Sequence, residues 1–463
     1  MYEGSVRIGK IIISNFKNVK NGQITLKNSK KEYKASVLGL YGQNGSGKTA
    51  LIDAIMLLKY ALCGMKVPKE YADYINIESD YATLSFDFSV VMPKKDRSYY
   101  VTYEFDLKKE LNNNDQNEST EEEHYKAVIV NEVLSFRLQG EKHRMSQLMN
   151  TKTKGVFVPK IKYEELIGKD PDEMMNLLVD KRYTYQDSRS FLFSRELLNV
   201  IRKNCHNEIY LDLINRLVTY GNYELFVINT QNSGLITLNA LPLSFKYEGE
   251  KSGFSGNFML PLDRPQTLPK VLVDLTEKMI PNMNEVFKQI VPGLTISLHN
   301  LGPQALKNGE TGYSVQLMSR KNSEEIPLRD ESEGIKKIVS ILQLLIVIYN
   351  NDSITVAIDE LDSGVFEYLL GELLKIISEE GKGQLIFTSH NLRPLETIDR
   401  GFVAFTTTNP ENRYIRLTNV KGNNNLRDFY YRDIIVGMQK EELYEPTNNY
   451  KISLAFRKAG KMY

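Results

Sequence analysis

The stretch "VLGLYGQNGSGKTALIDAIMLLKYAL" (37–62) constrains this chain more than any other. Residues 37–41 are apolar and predict a short buried strand. Gly42 to Thr49 follows the pattern G-x-x-x-x-G-K-[ST], and apolar periodicity from Ala50 predicts a helix. Strand, glycine loop and helix in that order belong to an α/β fold. The glycines let backbone N–H groups wrap around phosphates without Cβ clashes. The helix N-terminus adds positive partial charge. The predicted cradle is Gly42, Gln43, Asn44, Gly45, Ser46 and Gly47. Lys48 is placed to reach the β- and γ-phosphates of ATP, and Thr49 to ligate Mg²⁺. A fortuitous glycine-rich turn is the structural alternative, and the flanking strand and helix argue against it.

A second strand end carries acids. "SITVAIDELDSG" (353–364) is a β-branched apolar run ending in Asp359-Glu360. Ligand sites of α/β sheets lie at the carboxyl ends of strands. Asp359 is expected to hold Mg²⁺ in its outer shell, and Glu360 to activate the attacking water as general base. A further apolar strand, Leu385–Phe387, ends at Thr388-Ser389-His390. An acid-rich turn and an ordinary surface histidine are the alternative readings. His124, His143, His206 and His299 have no such context.

Upstream of the glycine loop lies "VRIGKIIISNFKNVKNGQITL". With Asn15, Phe16 and the run Asn44-Gly45-Ser46-Gly47-Lys48-Thr49, it resembles the ABC-type ATPases related to SMC, RecF and OLD proteins. There a strand hairpin precedes a loop of the form G-x-N-G-x-G-K-[ST]. The resemblance implies a P-loop ABC-ATPase head: a mixed sheet with an antiparallel β-lobe. It implies that His390 contacts the γ-phosphate and that Asp362 occupies the D-loop. It also gives meaning to "RDESEGIKKIVSIL" (329–342). Ser332 has the chemistry of an ordinary helix N-cap. The ABC signature, however, places a serine and a glycine at a helix N-terminus upstream of the Asp359 position, and Ser332 and Gly334 fit. The usual L-S-G-G-Q is reduced here to S-E-G. In ABC dimers such a serine completes the partner's ATP site, so two nucleotides are sandwiched between two copies. A homodimer or higher oligomer is expected.

The resemblance covers roughly 1–140 and 290–420. The expected division is 1–144 for the first half of the head with its lobe, 145–290 for a compact, largely helical insertion, 291–420 for the second half, and 421–463 for a tail. "YATLSFDFSVVM", "RSYYVTYEFDL" and "HYKAVIVNEVLSFRL" alternate as antiparallel lobe strands. Residues 108–124 are polar and mostly acidic and read as a mobile hairpin tip or loop. Helical pieces are expected within 145–218 and over 268–291. No sustained heptads indicate an SMC-like coiled coil. Gln139, Gln147 and Gln186 are the candidates for a Q-loop, none standing out. In the tail, Arg427, Tyr430, Tyr431 and Arg432 suggest either nucleic-acid contact or, better, an amphipathic helix capping the domain.

Composition bounds the rest. The 463 residues are 41% apolar and 25% charged. Lys plus Arg number 59 against 58 Asp plus Glu, so no whole-chain field draws in nucleic acid or an anionic membrane. No apolar run suits a membrane span. Two distant cysteines, Cys63 and Cys205, and no signal-peptide layout lead to the expectation of a cytoplasmic, disulfide-free protein. The layout is similar to that of AAA-class ATPase subunits of bacterial two-gene phage-defence systems such as PARIS and Septu. That likeness implies an ATPase switch with an effector protein in trans. The stretch after His390 does not suggest the TOPRIM nuclease domain of OLD proteins, so any nuclease is expected on a separate protein. A RecF-like DNA-binding repair ATPase is the alternative.

Overall fold

The computed structural model describes residues 4–27, 34–92, 97–111, 125–140, 144–229, 240–248, 253–306, 308–321, 324–418 and 425–460. The chain opens with a hairpin, β1 (Ser5–Phe16) and β2 (Val19–Thr25). Next come β3 (Ser36–Tyr41) and helix α1 (Lys48–Leu62). Lobe strands β4 (Tyr81–Met92), β5 (Arg97–Leu111), β6 (Tyr125–Leu138) and β7 (Ser146–Asn150) follow. Four helices come next: α2 (Lys160–Leu166), α3 (Pro171–Gln186), α4 (Arg195–Asn204) and α5 (Glu208–Thr219). Strand β8 (Leu225–Ile228) precedes the hairpin β9 (Ala240–Glu248) and β10 (Gly253–Pro261). After β11 (Gln266–Pro269) come α6 (Lys270–Ile290), β12 (Leu294–Ala305), β13 (Thr311–Lys321) and β14 (Glu324–Pro327). The second half of the head runs α7 (Glu333–Asn350), β15 (Thr355–Ile358), α8 (Glu367–Glu380), β16 (Gln384–Thr388), α9 (Pro394–Thr397), β17 (Val403–Thr406) and β18 (Tyr414–Ile415). Helices α10 (Leu426–Val436) and α11 (Asn449–Ala459) end the described chain.

Two larger sheets position the site. The antiparallel lobe has the order β2-β1-β4-β5-β6-β7. The other sheet has the order β18-β17-β3-β16-β15-β8, parallel except for β18. Parallel strands covered on both faces read as continuous apolar runs. Here Leu38 and Leu40 join the core beneath α1 and the lobe, while Val37 and Tyr41 join the core shared with α7 and α8. Gln384 ties the two sheets together. Its side chain accepts from Ile8 N at 2.9 Å and donates to the Ile8 carbonyl at 2.7 Å.

The expected lobe strands and the expected helical pieces form. The 145–290 interval needs one correction. It holds α2 to α6, but β8 lies inside it and pairs in parallel with β15 as an edge of the nucleotide sheet. Leu225–Ile228 is a four-residue apolar run, too short to show a period of its own. The β9–β10 hairpin and β11 also fall in this interval. Of the acidic stretch 108–124, residues 112–124 lie outside the described residues. Among the described residues no helix is long and apolar enough to cross a membrane, and both cysteines are free thiols.

Candidate nucleotide site

The loop between β3 and α1 is shaped by what surrounds it. Gly42 has φ 152°, and a Cβ there would sit 1.8 Å from the Thr406 hydroxyl, so only glycine fits. Thr406 in turn hydrogen-bonds Ser46, whose hydroxyl donates to the Gln43 carbonyl at 2.5 Å. Behind the loop, Tyr414 donates to the Gly47 carbonyl at 2.9 Å, and Arg413 donates to the Asn18 carbonyl at 2.6 Å. The β1–β2 turn closes the other side, with the Asn18 amide donating to the Gly45 carbonyl. The sequence therefore assembles the cradle from three distant segments.

A cleft of about 850 Å³ opens over this loop. Asn44, Gly45, Gly47, Lys48 and Thr49 line it, together with Asp359, Glu360, Thr388 and His390. These predicted residues from the two half-heads are thus brought together. Lys48 Nζ donates to the Gly42 and Gln43 carbonyls at 2.8 and 3.0 Å. Burial pushes its pKa below the usual lysine value, while Asp359, Glu360 and Asp362 pull it back up. Gln43 faces the tail instead: its side chain accepts from Glu445 N at 2.8 Å.

The acidic strand end is built to hold a fixed geometry. Thr388, last residue of β16, donates to Asp359 Oδ1 at 2.5 Å and accepts from Glu360 N at 2.8 Å. Glu360 has φ 49°, a left-handed conformation costly for a residue with a side chain. Glu360 is exposed, while Asp359 beside it is buried. Asp362 accepts from the backbone N–H of His390 and Asn391 at 3.1 and 2.9 Å, linking the D-loop position to the histidine strand end. The Thr49 hydroxyl and the buried Asp359 carboxylate are hard oxygen donors, suited to Mg²⁺. Among the described residues no cluster of three His, Cys, Asp or Glu side chains forms a separate metal site.

Ser332 and Gly334 do not line this cleft. Ser332 is exposed and N-caps α7, accepting from Ile335 N at 3.3 Å. The helix behind it is buried over most of its length. Gly334 has a packing role as well: a Cβ there would lie 2.6 Å from the Gly364 carbonyl oxygen, just beyond Asp362.

Several site residues were not singled out from sequence. Lys17 pairs with Asp53, which is fully buried on α1 and also receives the Asn229 amide from the end of β8. Burial raises the Asp53 pKa, and Lys17 opposes the shift. Lys17 lies 3.9 Å over the Tyr74 ring. An acid inside the apolar run "ALIDAIML" was the readable signal. Lys337 is buried on α7. Burial lowers its pKa, and Asp362, Glu360 and Asp359 oppose that. Two adjacent lysines in an apolar helix were its signal. Gln139, Gln147 and Gln186 do not line the cleft. On the side of β15 away from β16 lies β8, and residues 230–239 after it lie outside the described residues.

A glycine loop, a strand-terminal acid pair and a strand-terminal histidine on adjoining parallel strands define a P-loop nucleotide-binding head. Residues 37–395 match the family model described as "AAA domain, putative AbiEii toxin, Type IV TA system", and the chain belongs to that family. No curated protein matches. Among solved structures, an Smc head bound to the C-winged helix domain of ScpA is similar at 13% identity. The match covers 89% of this chain and 98% of that one, with TM-score 0.42. The SMC head domain from Thermotoga maritima is similar at 15% identity, covering 89% and 99%, with TM-score 0.37. RecF in complex with an ATP analogue is similar at 13% identity, covering 89% and 99%, with TM-score 0.38.

Proposed function

We propose that this chain is an ATP hydrolase that works as a nucleotide-driven dimerisation switch. Lys48 and the loop backbone bind the triphosphate, and Thr49 and Asp359 hold Mg²⁺, which neutralises charge on the phosphate oxygens. Glu360 takes the proton of the attacking water, and His390 hydrogen-bonds the terminal phosphate. Ser332 of a second copy completes each site. Binding closes the dimer, and hydrolysis reopens it.

The observation that carries this reading is the position of Ser332. It tops the 18-residue helix α7, is exposed, and stands outside the cleft its own chain builds. A helix N-terminus favours an anion. An effector protein in trans and a setting in phage defence rest on likeness of layout and on the toxin–antitoxin wording of the family description.

Two variants test the shared site. Ser332→Arg alone should bind ATP and fail to turn it over. Lys48→Ala alone should bind ATP about 100-fold more weakly. Mixed in equal amounts, they should recover about a quarter of the normal rate, because each mixed dimer holds one intact composite site. If Ser332→Arg hydrolyses ATP normally as a dilute monomer, the sandwich is wrong. The alternative, a RecF-like clamp on DNA, meets a charge balance of 59 to 58. Gel shifts at two salt concentrations test it, because phosphate contacts give steep salt dependence.

A further inference from the structure

We propose that helix α11 is a docking arm for a second copy of this chain, seated on the partner's patch where α7 and α8 begin. This rests on the shared-site reading above. Helix α11 has no buried residue. Tyr450 and Phe456 expose 78% and 75% of their surface. Helical spacing puts Tyr450 and Leu454 on one side and Ile452 and Phe456 on nearly the opposite one. A helix apolar on both sides is made to be covered. Its charges are all positive: Lys451, Arg457 and Lys458.

The chain leading to α11 is fastened beside the nucleotide loop. Glu441 accepts from the amides of Asn409 and Asn412 at 2.9 Å each, and Leu443 is buried. Glu445 N then donates to Gln43 within the glycine loop. The arm therefore leaves the body at the face a partner's Ser332 must approach.

The patch that travels with Ser332 complements the arm. A Cβ on Gly334 would lie 2.6 Å from the Gly364 carbonyl oxygen, so the first turn of α7 and the chain entering α8 pack closely and form one surface. Phe366 there is 71% exposed and Tyr368 is 55% exposed, flanking the exposed Glu367. Asp330, Glu331 and Glu333 add acids just before and within the first turn of α7, with Asp330 beside Arg329 and Glu333 pairing with Lys336. An apolar, basic arm and an apolar, acidic patch meet when the two copies close on nucleotide.

The test uses the full chain carrying Glu360→Gln, with ATP and Mg²⁺, followed by sedimentation. The unaltered arm should give dimers. Tyr450→Asp with Phe456→Asp should weaken dimerisation about 30-fold or more, as loss of interface hot spots does. Lys451→Glu with Lys458→Glu should weaken it too, and adding Glu367→Lys should restore part of the loss. A disulfide between Phe456→Cys and Phe366→Cys should link differently tagged copies. Arm variants that dimerise as tightly as the unaltered chain overturn the arm alone, whatever else α11 binds. A cross-link confined to single copies does so as well. A chain that stays monomeric with ATP overturns the arm and the sandwich together.

Discussion

Helices α1 and α7 both end their N-termini near the triphosphate machinery, yet they are answered differently. At α1 the preceding residue is Gly47, no side chain caps the helix, and no acid stands in its first turn. Its free N–H groups open into a cleft enclosed by Lys48, Asp359, Glu360 and His390 of the same chain. At α7 the terminus is capped by its own Ser332, carries Glu333 in its first turn, and faces solvent. The α1 terminus is left open into the cleft of its own chain, and the α7 terminus is closed by its own cap and exposed to solvent. On the proposed shared-site reading, the difference makes binding and turnover separable: a single copy would have what binding needs and would lack part of what turnover needs.

The largest effect should come from Glu360→Gln. Loss of a general base typically costs about 10²–10⁴-fold in rate, so single-turnover hydrolysis should fall by about 10³-fold with ATP affinity kept. Equal loss of affinity, measured by calorimetry, would break the claim that the α1 end is complete for binding. Lys48→Ala should act on the other quantity. Removing charge-assisted contacts to phosphate, about 1.5–3 kcal/mol each, should raise the ATP Kd by about 100-fold. A variant that keeps affinity and loses only rate would reverse the assignment of the two residues.

A smaller effect sharpens the picture within the cleft. Thr388→Val removes the hydroxyl that bonds both Asp359 and Glu360 N. The expected loss is about tenfold in kcat, one hydrogen bond to a charged group. The Mg²⁺ concentration needed for half-maximal rate should rise in parallel. An unchanged Mg²⁺ dependence would mean that Asp359 is held by other contacts.

The site was legible in sequence wherever a motif kept its contiguity. Gly42–Thr49, Asp359–Glu360 and His390 each sit at the end of an apolar strand, and the parallel pairing of β3, β16 and β15 brings them to one edge. Residues that act through distant partners were not legible. Asp53 needs Lys17 and Asn229, and no spacing rule connects them. Strand β8 was missed because four apolar residues carry no period. Its place in the sheet is decided by β15, more than a hundred residues away.

In the lobe, Glu132 is a charged group answered wholly within the chain, and it yields the smallest effect. Glu132 is fully buried at the β6 bulge. It accepts from Tyr103 at 2.7 Å, from the Ser190 hydroxyl, and from the backbone of Phe191 and Leu192 at 2.7 and 3.3 Å. Burial raises its pKa above 4.5, and those four donors oppose the rise. The folded chain thus holds the Glu132 proton more tightly than the unfolded chain. The resulting stability is present below about pH 4.5 and is lost as pH climbs through the folded value. Glu132→Gln removes that titration. Its hydroxyl partners must then accept rather than donate, which shifts stability equally at every pH, so the slope is the informative quantity. Melting temperatures of the two proteins should diverge in favour of the variant by about 1–2 °C between pH 4 and 7. Parallel curves would show that the four donors cancel the burial cost. Glu132 would then be a neutral clasp between the lobe and the segment joining α3 to α4, with no proton linked to folding.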